Sequence, residues 1–290
     1  MAGESQWTGE RNGVLWGDRA ADWAELQECQ CRPVYEAVFE RLAVGAGTAY
    51  LDAGCGAGLA AQTAAARNAQ VHGCDASEAL LAIARQRVPA GTFHRAELEQ
   101  LPFADGAFDV VTGFNSFQYA ANAGHALAEA RRVARVGAVI VVMTWGQPEG
   151  MPAAALVAAL RPLLPAPPPG APGRFALSEE SAPRSFATGA GLSPEKLFDV
   201  ESPFRNADLD SGIRVWARRA WLRGRDRLQA RKRSMRRIAR PSARSGSRTG
   251  VIAFQRHSGA WLHGRITDKP QRRVFTLYSL GFSPPHCVAY

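Results

Sequence analysis

Between residues 48 and 145, short segments of strand length alternate with longer segments that read as helices. The runs 48–53, 70–75, 92–96 and 108–114 predict four strands. An alanine-rich stretch over about 57–68 predicts a helix. A second helix opens at Ser77, a good N-cap, with Glu78 in its first turn and Pro89 beyond its end. Residues 123–134 predict a third, with Arg131, Arg132 and Arg135 at or just past its C-terminal end and Gly137 as its stop. The aliphatic run 138–144 then predicts a strand covered on both faces. Strands alternating with helices imply an α/β fold, a mostly parallel sheet with helices on both sides.

The flanks carry different patterns. Aromatic and apolar residues from Leu15 and Trp16 through Trp23, Tyr35 and Phe39 to Leu42 predict two helices, broken near Arg32-Pro33. Prolines crowd 162–173, which predicts a loop; 178–189 reads as a helix despite Pro183, and 196–200 as a sixth strand. Beyond Ile213 the pattern stops. Residues 218–248 are packed with Arg, Ser, Ala and Gly and show no sustained apolar face after Trp221 and Leu222.

Charge sharpens that break. The whole chain of 290 residues carries a formal +9, but 214–290 hold 19 of the 35 Lys+Arg and only two acids, Asp226 and Asp268. The tail is therefore +17, while 1–213, with 16 basic and 24 acidic residues, is −8. The longest apolar run, 138–145, is far too short to span a bilayer, and the N-terminus has acids and no apolar signal region. Cys29, Cys31, Cys55, Cys74 and Cys287 are odd in number and lack paired spacing, which argues against a disulfide framework or a zinc site. A reduced, cytoplasmic, metal-free protein is the expectation.

The chemistry concentrates at the strand ends. Leu51-Asp52-Ala53-Gly54-Cys55-Gly56-Ala57-Gly58 lies between a predicted strand and a predicted helix, where glycines let backbone approach a ligand and a helix N-terminus offers free N–H groups. Dinucleotide-binding turns are related, but their third glycine would fall at Leu59. Asp75 ends the second strand, 21 residues after Gly54, about the separation expected of a ribose-binding acid. Alone, Asp75 would more often be a helix cap or turn former, Glu97 a solvated loop acid, and Phe117 and Tyr119 core. Their joint order at four successive strand ends points to one ligand site.

The stretch LDAGCGAG resembles the first motif of class I S-adenosylmethionine-dependent methyltransferases, in particular the small-molecule group similar to quinone-biosynthesis methyltransferases. The resemblance runs well over about 35–145, and loosely over 1–34 and 175–213. It implies a Rossmann-like doubly wound sheet of about seven strands with N-terminal lid helices, closed by a hairpin whose last strand is antiparallel. It implies S-adenosyl-L-methionine as donor and S-adenosyl-L-homocysteine as product. The turn at Asp52, Ala53, Gly54 and Gly56 would contact the methionine portion. Asp75, followed by Ala76, would accept from the ribose hydroxyls, since a carboxylate takes two donors at once. Glu97, where Asp is usual, would accept from the adenine amino group, and the Leu98 N–H would face the ring. Asn115 would lie in the loop beneath the sulfonium.

Methyl transfer is an in-line displacement that asks the protein mainly to align reactants and exclude water, with a base only where the nucleophile must lose a proton. His94 and His125 read as structural, and no catalytic base is assigned; Tyr35 and Trp16 are candidates for the lid. The expected activity is methylation of a small-molecule O, N or C nucleophile by 1–213. Two rivals are a nucleic-acid methyltransferase aided by the basic tail, and a non-catalytic cofactor-binding or vestigial domain. The tail itself, 214–290, has three readings: a nucleic-acid-binding arm, a disordered extension, or a shifted reading frame in GC-rich DNA. The abrupt charge swing favours the third. On that reading the closing hairpin is missing or replaced by a makeshift strand such as 273–280.

Overall fold

The computed structural model describes residues 8–145, 177–178, 181–192, 196–203, 246–255 and 273–277. Its centre is β1 (Ala49–Ala53), flanked by β2 (Gln70–Asp75) and β4 (Phe108–Phe114); β3 (Thr92–Arg95) lies outside β2, and β5 (Ala134–Trp145) outside β4. These five strands are parallel throughout. Beyond β5 come β7 (Gly246–Gln255), antiparallel to both its neighbours, then β6 (Lys196–Pro203), with β8 (Arg273–Leu277) paired to β6 and β7. Where about seven strands were expected, the described residues form a sheet with a parallel core of five and three more strands along one edge.

Alternation along the strands explains why both faces are covered. Tyr50, Val110, Val141 and Met143 pack on one side with Val34, Val38 and Phe39 of α3 (Arg32–Arg41) and with α4 (Leu59–Ala65). Leu51, Val111, Ile140 and Val142 face the other side, against Leu127, Ala130 and Val133 of α6 (Ala123–Val133). Successive strand residues point to opposite faces, so a strand covered twice is apolar at every position. Helix α5 (Glu78–Arg87) begins on Ser77, whose Oγ accepts from the Leu80 N–H at 3.4 Å, and α7 (Ser181–Gly189) packs beside α6.

Three differences from the sequence reading have local causes. Gly137 is not a helix stop: α6 gives way directly to β5, and Gly137 (φ 86°) lies in the strand where its register against β4 shifts. The N-terminal segment is not two simple helices. α1 (Gly9–Gly17) and the short α2 (Ala20–Asp22) run into a π-helical turn, Trp23–Gln27, and a 3₁₀ turn, Glu28–Cys31, before α3. Finally, the antiparallel place beside β5 is taken by β7, from within the Arg-rich tail, which the sequence did not mark as a strand. The makeshift strand expected at 273–280 corresponds in backbone to β8. The proline-rich loop at 162–173 lies outside the described residues.

Strand order reverses between β1 and β4, and in such sheets the crevice for ligands opens at the carboxyl ends of the strands there. Among the described residues no helix is long and apolar enough to cross a membrane, and no cluster of three or more His, Cys, Asp or Glu could hold a metal ion.

Candidate functional site

A cavity of about 300 Å³ opens at that crevice. Its floor is the glycine turn. Gly54 (φ +79°) and Gly56 (φ +55°) adopt backbone that L side chains rarely tolerate, and a Cβ on Gly54 would fall on the Ser116 Cβ. The Gly54 and Cys55 N–H groups both donate to the Cys74 carbonyl, at 2.8 and 2.9 Å, which pins the turn to the end of β2. The Gly56 N–H donates to Oδ2 of Asp75 at 2.9 Å, and Oδ1 of the same carboxylate accepts from the Ser77 N–H at 2.8 Å. Turn and acid thus form one continuous wall. Burial pushes the Asp75 carboxyl up, and the N–H donors of Ser77 and Gly56 oppose that rise.

Of the nine residues expected at the donor site, Gly54, Gly56, Asp75, Ala76, Glu97, Leu98 and Asn115 line this cavity. Asp52 and Ala53 do not; they lie behind the wall. Asp52 is 2% exposed, and its Oδ1 accepts from the Thr112 hydroxyl at 2.9 Å, which in turn lies 2.7 Å from the Tyr50 hydroxyl. Burial raises the Asp52 carboxyl to about 7, with the negative Glu28 and Asp75 adding to the rise and the Thr112 bond opposing it. Ala53 is fully buried and gives its carbonyl to the Ser116 hydroxyl at 2.6 Å. Both residues support the turn from below.

Glu97 reaches the cavity, but its Oε2 already accepts from the Gly9 N–H at 2.9 Å, leaving Oε1 for any ligand. The loop carrying it is latched by α6. Arg132 donates to the carbonyls of Leu101 and Phe103, and Glu129 accepts from the Leu101 N–H. Asn115 holds a left-handed backbone (φ 55°), a conformation asparagine tolerates better than most side chains. Phe117 is core, as its ordinary reading had it, whereas Tyr119 lines the cavity.

The opposite wall comes from the N-terminal segment. Trp16 stacks edge-on against Trp23 at 5.2 Å and Tyr119 at 5.9 Å, while Thr8 and Asn12 both donate to the Tyr119 carbonyl. Trp16 therefore sits in the lid; Tyr35 instead packs in the core against Phe114. The sequence reading did not single out Gly9, Asn12, Trp23 or Gln27 for this wall, nor Glu99 and Trp145 on the other side. Beneath the lid, Glu28 accepts from the Leu59 N–H at the start of α4 and pairs with Arg87. Arg87 also donates to the Ala57 and Ala24 carbonyls, so one guanidinium ties the glycine turn to the π-helical turn. His94 packs against Phe103, away from the cavity.

Residues 51–142 match the methyltransferase domain family. A malonyl-acyl-carrier-protein O-methyltransferase of Serratia marcescens is 36% identical over 98 residues, which are 34% of this chain and 38% of that one. A ubiquinone biosynthesis O-methyltransferase of Hahella chejuensis is 31% identical over 134 residues, 44% of this chain and 56% of that one. The chain spans less than half the length of the first such curated relatives. Among solved structures, the YcgJ protein of Bacillus subtilis superposes with a TM-score of 0.55 at 18% identity, covering 78% of this chain and 98% of that one. The 4+2 cyclase SpnF gives 0.51 at 18%, covering 78% and 80%. These last two likenesses establish the fold, which hosts more than one chemistry.

Proposed function

We propose, from the premise that this chain belongs to the class I S-adenosylmethionine-dependent methyltransferases, that it methylates an O, N or C nucleophile on a small molecule in the cytoplasm. The observation that carries the reading is the hydrogen bond from the Gly56 N–H to Asp75, which joins a Cβ-free turn and a ribose-type acid in one cavity wall.

The residues present fit the donor. Each oxygen of Asp75 holds one backbone N–H and keeps a lone pair for a ribose hydroxyl. Gly54 and Gly56 would leave room for the methionine portion, Glu97 keeps Oε1 for the adenine amino group, and Leu98, which lines the same cavity, would offer its N–H to the ring. S-adenosylmethionine supplies an activated methyl carbon and leaves as S-adenosylhomocysteine. The chain's own work is alignment and exclusion of water. Asn115, Phe114 and Trp145, at the ends of β4 and β5, would border the acceptor side, and the Trp16–Trp23–Tyr119 cluster would cover the donor. No described residue is assigned as base; a nucleophile that ionises by itself needs none.

The +17 tail supports a second reading, methylation of nucleic acid. Against it, Asn115-Ser116-Phe117 lacks the prolines of a base-binding loop. Calorimetry with S-adenosylhomocysteine separates the cases. Folded wild type binds it, and Asp75→Ala weakens binding about 100-fold or more, the worth of two hydrogen bonds to a charged group. No binding by folded wild type overturns both methyltransferase readings. A strongly salt-dependent RNA affinity that vanishes on deleting 214–290 favours the second.

A further inference from the structure

We propose that Gln27 is a ligand-holding residue of the donor site, whose side-chain amide donates to the α-carboxylate of the methionine portion. The proposal rests on the donor reading above and adds a contact which that reading does not contain.

Gln27 is 1% exposed, lines the cavity, and its Nε2 has no hydrogen-bond partner. A buried amide N–H left unpaired costs about 1–3 kcal/mol, so such a group in a cavity wall calls for a ligand to satisfy it. The backbone has been arranged to put it there. Gln27 ends the π-helical turn Trp23–Gln27, and single π turns inside helical segments recur at functional sites. At the start of that turn, the Trp23 indole nitrogen lies 3.2 Å from where a Gly56 Cβ would be, so the turn packs directly on the glycine floor. Its next residue, Glu28, is fixed by the Leu59 N–H and Arg87, which removes the freedom of Gln27 to swing away.

Charge then selects the ligand group. Among the described lining, the residues that carry charge at neutral pH, Asp75, Glu97 and Glu99, are all carboxylates, and no lining residue is a cation. Asp75 and Glu97 suit hydroxyls and an amino group. An anion in the same cavity must be met by neutral N–H donors, and Gln27 offers an unused one beside the turn that receives the amino-acid end. A hydrogen bond from a neutral donor to a carboxylate is stronger than one between neutral partners.

The test compares two ligands that share the adenosine and the thioether but differ in the amino-acid end, with its α-carboxylate and α-ammonium: S-adenosylhomocysteine and 5′-methylthioadenosine. Calorimetry on wild type, Gln27→Ala and Gln27→Glu supplies the readout. Gln27→Ala is expected to weaken S-adenosylhomocysteine about ten-fold or more while methylthioadenosine changes less than about two-fold. Gln27→Glu, which sets a carboxylate against a carboxylate, is expected to weaken the first ligand further. Tighter binding of the first ligand by Gln27→Glu would assign Gln27 to the ammonium and overturn the carboxylate contact. Retained methylthioadenosine binding also certifies that each variant is folded. Equal weakening of both ligands, or of neither, in the presence of tight wild-type binding overturns the role of Gln27 alone. Wild type that binds neither ligand overturns the donor reading, and this proposal with it.

Discussion

The cavity has two walls built by different physics. One is the row of strand ends, where Gly54, Gly56, Asp75, Glu97 and Asn115 are placed by a parallel sheet whose core is buried on both faces. The other is the N-terminal segment, where Asn12, Trp16, Trp23 and Gln27 come from α-, π- and 3₁₀-helical pieces. The first wall is held by backbone hydrogen bonds between adjacent strands and would keep its shape with the lid removed. The second is held to the first by a few side chains, chiefly the Glu28–Arg87 pair and the Glu97 bond to Gly9. A binding site of this kind is stiff where it reads the ligand's shape and adjustable where it must admit it.

The largest effect should come from cutting the tie between the walls. Arg87→Met leaves the Glu28 carboxylate, 2% exposed, without its cation and releases the Ala24 and Ala57 carbonyls. Removing one partner of a buried pair costs about 3–5 kcal/mol, to be read from urea denaturation. The double variant Glu28→Gln, Arg87→Met should recover a large part of that loss. A single variant costing under about 1 kcal/mol would mean that the N-terminal wall is attached by packing alone.

How far each wall could be read from the sequence follows from the same contrast. The strand-end wall is periodic: 70–75 and 108–114 were legible to the residue because strand-length segments alternate with helices between clear caps and turns, and the glycine turn and Asp75 follow from where those segments stop. Asp52 lies outside the cavity lining because sequence position does not say which side of a pleat a side chain takes; here its carboxylate accepts from the Thr112 hydroxyl on the neighbouring strand. The N-terminal wall escaped because a π turn inserts one extra residue into the helical period, moving Trp23 and Gln27 onto a face that regular spacing does not mark. Strand β7 escaped because its apolar stretch, 251–254, is short and sits in strongly basic surroundings.

Asp52 offers the next test, since it separates support from contact. Its carboxyl has an ordinary value of 3.8 and is pushed up to about 7 by burial. A raised pKa means the folded state holds this proton more tightly than the unfolded chain, so the stabilisation is present at low pH and lost as pH rises through about 7. Asp52→Asn cannot titrate. Its stability should therefore fall less steeply between the two values, from pH about 4 to about 7, by up to about 4 kcal/mol in total, while affinity for S-adenosylhomocysteine changes less than about three-fold. A loss of affinity as large as that of Asp75→Ala would place Asp52 in the wall after all.

The smallest effect should distinguish two glycines of the same turn. Gly54 and Gly58 have nearly the same backbone, φ +79° and +81°, and a Cβ is obstructed at both, by Ser116 at the first and by Ala84 at 2.7 Å at the second. Left-handed backbone costs a residue with a Cβ about 1–2 kcal/mol, so Gly54→Ala and Gly58→Ala should lose comparable stability. Only Gly54 faces the cavity. Its new methyl must displace Ser116, whose hydroxyl bonds the Ala53 carbonyl, and so disturbs the floor itself, whereas the Gly58 methyl presses on α5 behind it. Gly54→Ala should weaken S-adenosylhomocysteine several-fold beyond any change in Gly58→Ala. Equal affinities in two equally destabilised variants would show that the floor yields to the ligand, and that the strand-end wall is no stiffer than the lid.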